Sequence, residues 1–179
     1  MIRRIPNWST LTRRTLVTAA MLVAAVVAPV GAAQAQAAAT TSPPCAASAL
    51  RVSTIRDGAA AGSTYYNVRF TNATRTTCHL FGYPGIVAFA NARQLGAPAG
   101  RNPGVPRMVV TIAPGATAHS LLQITNAGNY PAATCRPALA EGIRVIPPNT
   151  STRKLNRLSF QACSSGIVYM FVSPVGPGA

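Results

Sequence analysis

From Cys45 to Val175 the chain never holds the 3.6-residue apolar period that a helix needs to bury one face. It offers short runs in which apolar and polar residues alternate, broken by Gly, Pro, Asn and Asp. Leu50-Arg51-Val52-Ser53-Thr54-Ile55 alternates in this way. In Thr64–Thr71, Tyr66, Val68 and Phe70 fall on one side and Tyr65, Asn67 and Arg69 on the other. Further runs lie at Thr76–Leu80, Ile86–Ala90, Arg107–Ile112, Thr117–Thr125, Gly142–Pro147, within Thr150–Phe160, and at Ile167–Ser173. A period-2 segment has one face to bury, so such runs must pair edge to edge and cover that face with a second layer. The expectation is an all-β domain of about seven to nine strands, an antiparallel two-layer sandwich, with a closed barrel as the alternative.

The breaks between the runs carry their own signals. Asp57-Gly58 through Ala61-Gly62, Thr71-Asn72-Ala73-Thr74 and Gly82-Tyr83-Pro84-Gly85 read as turns. Ala113-Pro114-Gly115-Ala116 reads as the turn of a hairpin between its two flanking runs, because proline presets φ and glycine tolerates φ > 0. Leu95–Pro106 holds three prolines and three glycines and reads as an irregular crossing loop. Asn126–Leu139 reads as a second long loop with room for one helical turn.

Ahead of this domain stands a segment of another kind. Arg3, Arg4, Arg13 and Arg14 precede the apolar stretch Leu16–Val30, and Ala33-Gln34-Ala35 and Ala35-Gln36-Ala37 both fit a small-x-small cleavage site. The stretch is short and alanine-rich for a membrane span, which needs about 20 strongly apolar residues. Residues 1–37 are therefore expected to be a signal peptide cut after Ala35 or Ala37. Residues 38–44 would be a flexible linker, 45–175 the β domain and 176–179 a C-terminal tail. Thr12-Arg13-Arg14-Thr15-Leu16-Val17 fits a twin-arginine leader as well as a Sec leader, so the route stays open. The product is expected outside the cell or associated with the wall, with no transmembrane span after cleavage.

Four cysteines, Cys45, Cys78, Cys135 and Cys163, follow the leader. An even count in an exported chain reads as disulfides. Four cysteines allow three connectivities; Cys45–Cys78 and Cys135–Cys163, one bridge per half, is the pairing expected. There is no C-x-x-C, and the two histidines are not at ligand spacing, so neither a metal nor another cofactor is expected. The polar, proline-containing Thr41-Ser42-Pro43-Pro44 ahead of Cys45 does not suit lipid attachment to that cysteine.

The charge is one-sided. The chain has 16 basic residues, four of which leave with the leader, so twelve remain against Asp57 and Glu141. Such a surface attracts anionic polymers, anionic lipid surfaces or acidic partners. The sharpest candidate patch is Arg144, Arg153, Lys154 and Arg157, joined by Arg136, gathered at one end of the sandwich; arginine forks suit phosphate and carboxylate groups. The materials for catalysis are scarce: one Asp, one Glu, His79, His119, and no thiol once the cysteines pair. No nucleophile elbow or phosphate-binding glycine loop is present. An enzyme is not expected; one would need a cleft joining His119 or His79 to Asp57 or Glu141. Nucleic acid is not expected either, since the aromatics free to stack on bases are few, with Tyr65, Tyr83 and Tyr130 the candidates.

In order and spacing, several segments resemble a family of secreted actinobacterial proteins classed as a domain of unknown function, DUF 4232. They are Thr71-Asn72, Cys78-His79-Leu80-Phe81-Gly82-Tyr83-Pro84-Gly85, Leu95-Gly96-Ala97-Pro98-Ala99 and Ile112-Ala113-Pro114-Gly115-Ala116-Thr117-Ala118-His119. Cys135, Gly142-Ile143-Arg144-Val145-Ile146-Pro147-Pro148, Cys163 and Val172-Ser173-Pro174-Val175 complete the set. The likeness covers about Cys45 to Val175. It implies an exported, immunoglobulin-like β fold and carries no activity with it. Members often have lipid-attachment leaders, and this chain departs there. Together the readings point to an exported, non-catalytic binding or structural module that contacts anionic envelope polymers through an arginine-rich face. The alternative is a protein-directed module, an adhesin or protease inhibitor, using the Leu95–Pro106 loop against an extracellular protein.

Overall fold

The computed structural model describes residues 41–178; the expected leader and most of the expected linker lie outside the described residues. The largest sheet joins β1 (Leu50–Ala60), β2 (Ser63–Asn72), β8 (Thr117–Thr125), β11 (Met170–Val172) and β6 (Gly100–Arg101) in that order, with β12 (Gly176–Pro177) on the far end of β8. The second sheet runs β10 (Lys154–Cys163), β9 (Pro137–Ile146), β4 (Gly85–Ala90), β5 (Arg93–Leu95). A two-stranded ribbon pairs β3 (Cys78–Phe81) with β7 (Val109–Ile112). Among the described residues, helix is confined to single turns, including α1 (Ala132–Cys135) in the second long loop. The arrangement is mostly β and sandwich-like, as the alternation requires.

The inward positions of both sheets meet in one core. Val68, Phe70, Leu122 and Met170 come from the large sheet, and Ile86, Ala88, Ile143 and Val145 from the second. Along β8 every second residue, Ala118, Ser120, Leu122 and Ile124, is buried. This periodicity is the sequence pattern made physical: a one-residue slip of register would turn His119 and Gln123 into the core.

Two hairpins close on two-residue turns with φ > 0 at both positions. Ala61 and Gly62 join β1 to β2, and Asn91 and Ala92 join β4 to β5. That geometry matches the twist of paired strands and suits Gly and Asn; alanine accepts it at a cost. The Asp57-Gly58 signal is no turn. It sits at an irregularity in the β1–β2 register between Arg56 and Gly58, so the strand bulges and continues to Ala60.

Pro114-Gly115 also departs from expectation. It forms a tight turn, with Ala116 N–H donating to Ala113 O at 3.0 Å. The strands on either side do not pair with each other: β7 pairs with β3, and β8 with β2. The turn is an arch between layers, and Asn72 in the end of β2 holds it through Asn72 N–H to Ala116 O and Gly115 N–H to Asn72 O. Likewise, the Leu95–Pro106 segment is not wholly irregular, since it contains β6 and the end of β5.

Both disulfides form as expected, Cys45–Cys78 and Cys135–Cys163. The linker's last residues are tied down: His79 N–H donates to Pro43 O and Cys45 N–H to His79 O, both at 2.9 Å, while His79 Nδ1 donates to Ser42 O. The tail is also held, with Gly176 opposite His119 and Pro177 opposite Ala118. Among the described residues, no helix is long and apolar enough to cross a membrane.

Candidate binding face

The register of the second sheet separates the five residues expected to form one cationic patch. Lys154 pairs with Val145 and Cys163 with Pro137, so Arg136 lies roughly 30 Å along the ribbon from Lys154. Arg157 and Arg144 share the outer face, since they oppose Gly142 and Leu155, whereas Lys154 points to the other side. Arg153 precedes β10 on an exposed loop. Arg144 has a structural role: its guanidinium donates to Ala92 O in the β4–β5 turn and lies 5.0 Å from the centre of the Phe89 ring. Arg136 caps α1 in a left-handed conformation, and its carbonyl accepts from Ser164 N–H and Oγ. These cations are not gathered at one end.

A different set is gathered on the outer face of the large sheet. Alternation sends Tyr65, Asn67 and Arg69 of β2 outward, and the β2–β8 pairing sets Arg69 beside His119 and Tyr65 beside Gln123. At the register break in β1, Arg56, which pairs with Tyr66, and the unpaired Asp57 both border the same place. Arg56, Asp57, Asn67, Arg69 and His119 line one hollow of about 380 Å³, closed at one side by Gly178. A side chain at Gly178 would stand 2.1 Å from Thr117 O, so this residue fits there only as bare backbone. Asp57 Oδ1 accepts from Asn67 Nδ2 at 2.8 Å, which steadies the carboxylate.

His119 also borders a second hollow of about 370 Å³, lined by Tyr65, Leu121 and Phe171 with Asn102, Gln123 and Ser173. The loop after β6 overhangs it and is pinned by Asn102 N–H to Val172 O and by Tyr83 OH to Asn102 O. Arg101 adds a cation over the Tyr83 ring at 5.4 Å.

The remaining candidates are elsewhere. His79 is engaged with Ser42, and Glu141 accepts from Asn91 N–H at 3.1 Å across the β4–β5 turn. His119 and Asp57 do share a hollow, the juxtaposition an enzyme would need, yet no hydrogen bond joins them among the described residues. Among the same residues no cluster of three His, Cys, Asp or Glu is placed to hold a metal. Arg56, Arg69 and the tail glycines belong to no cluster in the sequence. The only forward signal was the outward phase of Arg69 and His119.

The family model for a domain of unknown function, DUF4232, matches residues 45–174. The chain belongs to this family. The match begins at the first cysteine of the DUF4232 domain and ends at Pro174 on the wall of the second hollow, so it spans both bridges and every strand except β12. No curated protein and no solved structure matches the chain. The face must therefore be read from the DUF4232 domain itself.

Proposed function

We propose that this DUF4232 domain is an exported, non-catalytic binding module of immunoglobulin-like sandwich type that holds anionic groups of a cell-envelope polymer. The observation that carries the reading is the convergence of Arg56, Arg69 and His119 on one hollow of a chain with only two acidic side chains. Guanidinium forks bind carboxylate and phosphate in two-pronged fashion, and a concave, partly apolar wall strengthens that attraction. Export is supported by the basic-then-apolar leader and by two disulfides, which persist in oxidising compartments. The immunoglobulin-like assignment is supported by crossover pairings, β2 with β8 and β4 with β9, of the kind Greek-key sandwiches use.

The test is retention of the oxidised domain on envelope material across a salt series. Retention should fall steeply with salt, and Arg56→Gln with Arg69→Gln should abolish most of it. Arg153→Gln with Lys154→Gln, which removes equal charge elsewhere, should leave most of it. Equal losses from the two pairs would reduce the effect to net charge and sink the assignment of this hollow.

A further inference from the structure

Resting on that reading, we infer that the ligand spans both hollows and is an acidic glycan, its anionic group beside Arg56 and Arg69 and a sugar ring against Tyr65. The two hollows have His119 in common and follow the outward residues of one strand, β8, a track that a ligand crossing His119 would occupy. From Thr117 to Gln123 that track is about 20 Å long. One half presents Arg56, Arg69 and His119 around an Asp57 carboxylate that is already engaged by Asn67. The other presents Tyr65, Leu121 and Phe171 interleaved with amides.

This mixture selects among anionic ligands. A lipid chain would have no use for amides at its wall. A polyanion without apolar surface would leave Tyr65, Leu121 and Phe171 facing water. A pyranose has an apolar C–H face, which an aromatic π-face attracts, and a rim of hydroxyls that need donors and acceptors. Both are present. Gln123 donates Nε2 to Ser63 Oγ at 3.0 Å, leaving its carbonyl oxygen as an acceptor. Asn102 accepts Gly104 N–H on its Oδ1 at 3.0 Å, leaving its amide nitrogen as a donor. Phe171 is seated against Gly100, where a Cβ would come within 3.0 Å of the ring, so the platform's position is fixed by close packing. In this arrangement charge draws the polymer to the face and the second hollow chooses its chemistry.

The experiment titrates the oxidised domain calorimetrically with three probes: an oligomer of a uronic acid, a polyglutamate of matched charge, and a neutral glucose oligomer. The uronic oligomer should bind more tightly than polyglutamate, and the neutral oligomer only weakly. Tyr65→Ala should weaken the uronic oligomer about 3- to 10-fold and leave polyglutamate unchanged. Arg69→Gln should weaken both. Val105→Trp, on the exposed overhanging loop, narrows the second hollow without touching the core and should reproduce the Tyr65→Ala pattern even if that variant folds poorly. Equal affinity for the two acidic polymers, with no effect of Tyr65→Ala or Val105→Trp, overturns the glycan inference while anion binding stands. Failure of both acidic polymers to bind overturns both readings.

Discussion

Asn72 ties together the Thr74–Thr76 turn, the end of β7 and the Pro-Gly arch. Fully buried at the end of β2, it donates Nδ2 to Thr76 O at 2.7 Å and Ile112 O at 3.0 Å, and its Oδ1 accepts from Thr74 N–H and Oγ1. Its backbone holds the Pro-Gly arch. Asn72→Ala strands several polar groups away from water and should cost about 2–4 kcal/mol, read as a lower urea midpoint at unchanged slope. Tyr169 sets a limit at high pH. Burial pushes its phenol well above the ordinary value of 10.0. A group with a raised folded-state pKa stabilises fully below its unfolded value, so this contribution is complete below pH 10 and declines above it. Tyr169→Phe should flatten the loss of melting temperature between pH 10 and 11.5. The sequence showed Thr71-Asn72-Ala73-Thr74 as a turn. It did not show that the Asn72 side chain would reach Ile112, 40 residues away, because a side-chain bond across layers leaves no local pattern.

Among the elements, the two tight hairpins hold recoverable strain. Ala61 and Ala92 adopt φ of 46° and 62°, where an L-residue with a Cβ is disfavoured by about 1–2 kcal/mol. Ala61→Asn and Ala92→Gly should each raise stability by up to about 1 kcal/mol, a melting shift of a few degrees. No loss of envelope retention should follow, since neither position lines a hollow. Strands β2 and β8, and β9 from Gly142 onward, were legible because each has one buried face, and alternation records that directly; the start of β9, Pro137–Leu139, reads in the sequence as the end of the second long loop. Their partners were not. Pro114-Gly115 states that the chain turns, and local chemistry is the same whether the turn joins neighbours in a sheet or arches between layers. For the same reason Arg69 and His119 could be seen to leave the core, but not to stand side by side: that depends on the pairing of strands some 50 residues apart. The five cations of the expected patch show the converse: neighbours in sequence stand on opposite faces or far apart along the ribbon, and only Arg144 and Arg157 share a side.

At the scale of the molecule, the twelve cations that follow residue 37 outnumber two acids and repel one another, and two disulfides oppose that repulsion. Their separations of 33 and 28 residues correspond to roughly 3–4 kcal/mol each on the chain-entropy account. Cys45→Ser with Cys78→Ser should lower stability by about that amount in a denaturant melt, and more at low ionic strength, where self-repulsion is less screened. The first bridge has a mechanical side too. A pull entering from the chain ahead of Cys45 passes through sulfur to Cys78 and bypasses the β1–β2 hairpin, which lies within the ring. Stretched between its ends, the oxidised domain should come up short of the reduced one by about 115 Å for that ring alone, measurable by force spectroscopy. Tyr65, Asn67 and Arg69 ride on the slack segment, while His119, Leu121 and Phe171 stand on strands outside either ring, so a polymer under tension would be gripped between a strand that the tension bypasses and strands that it runs through.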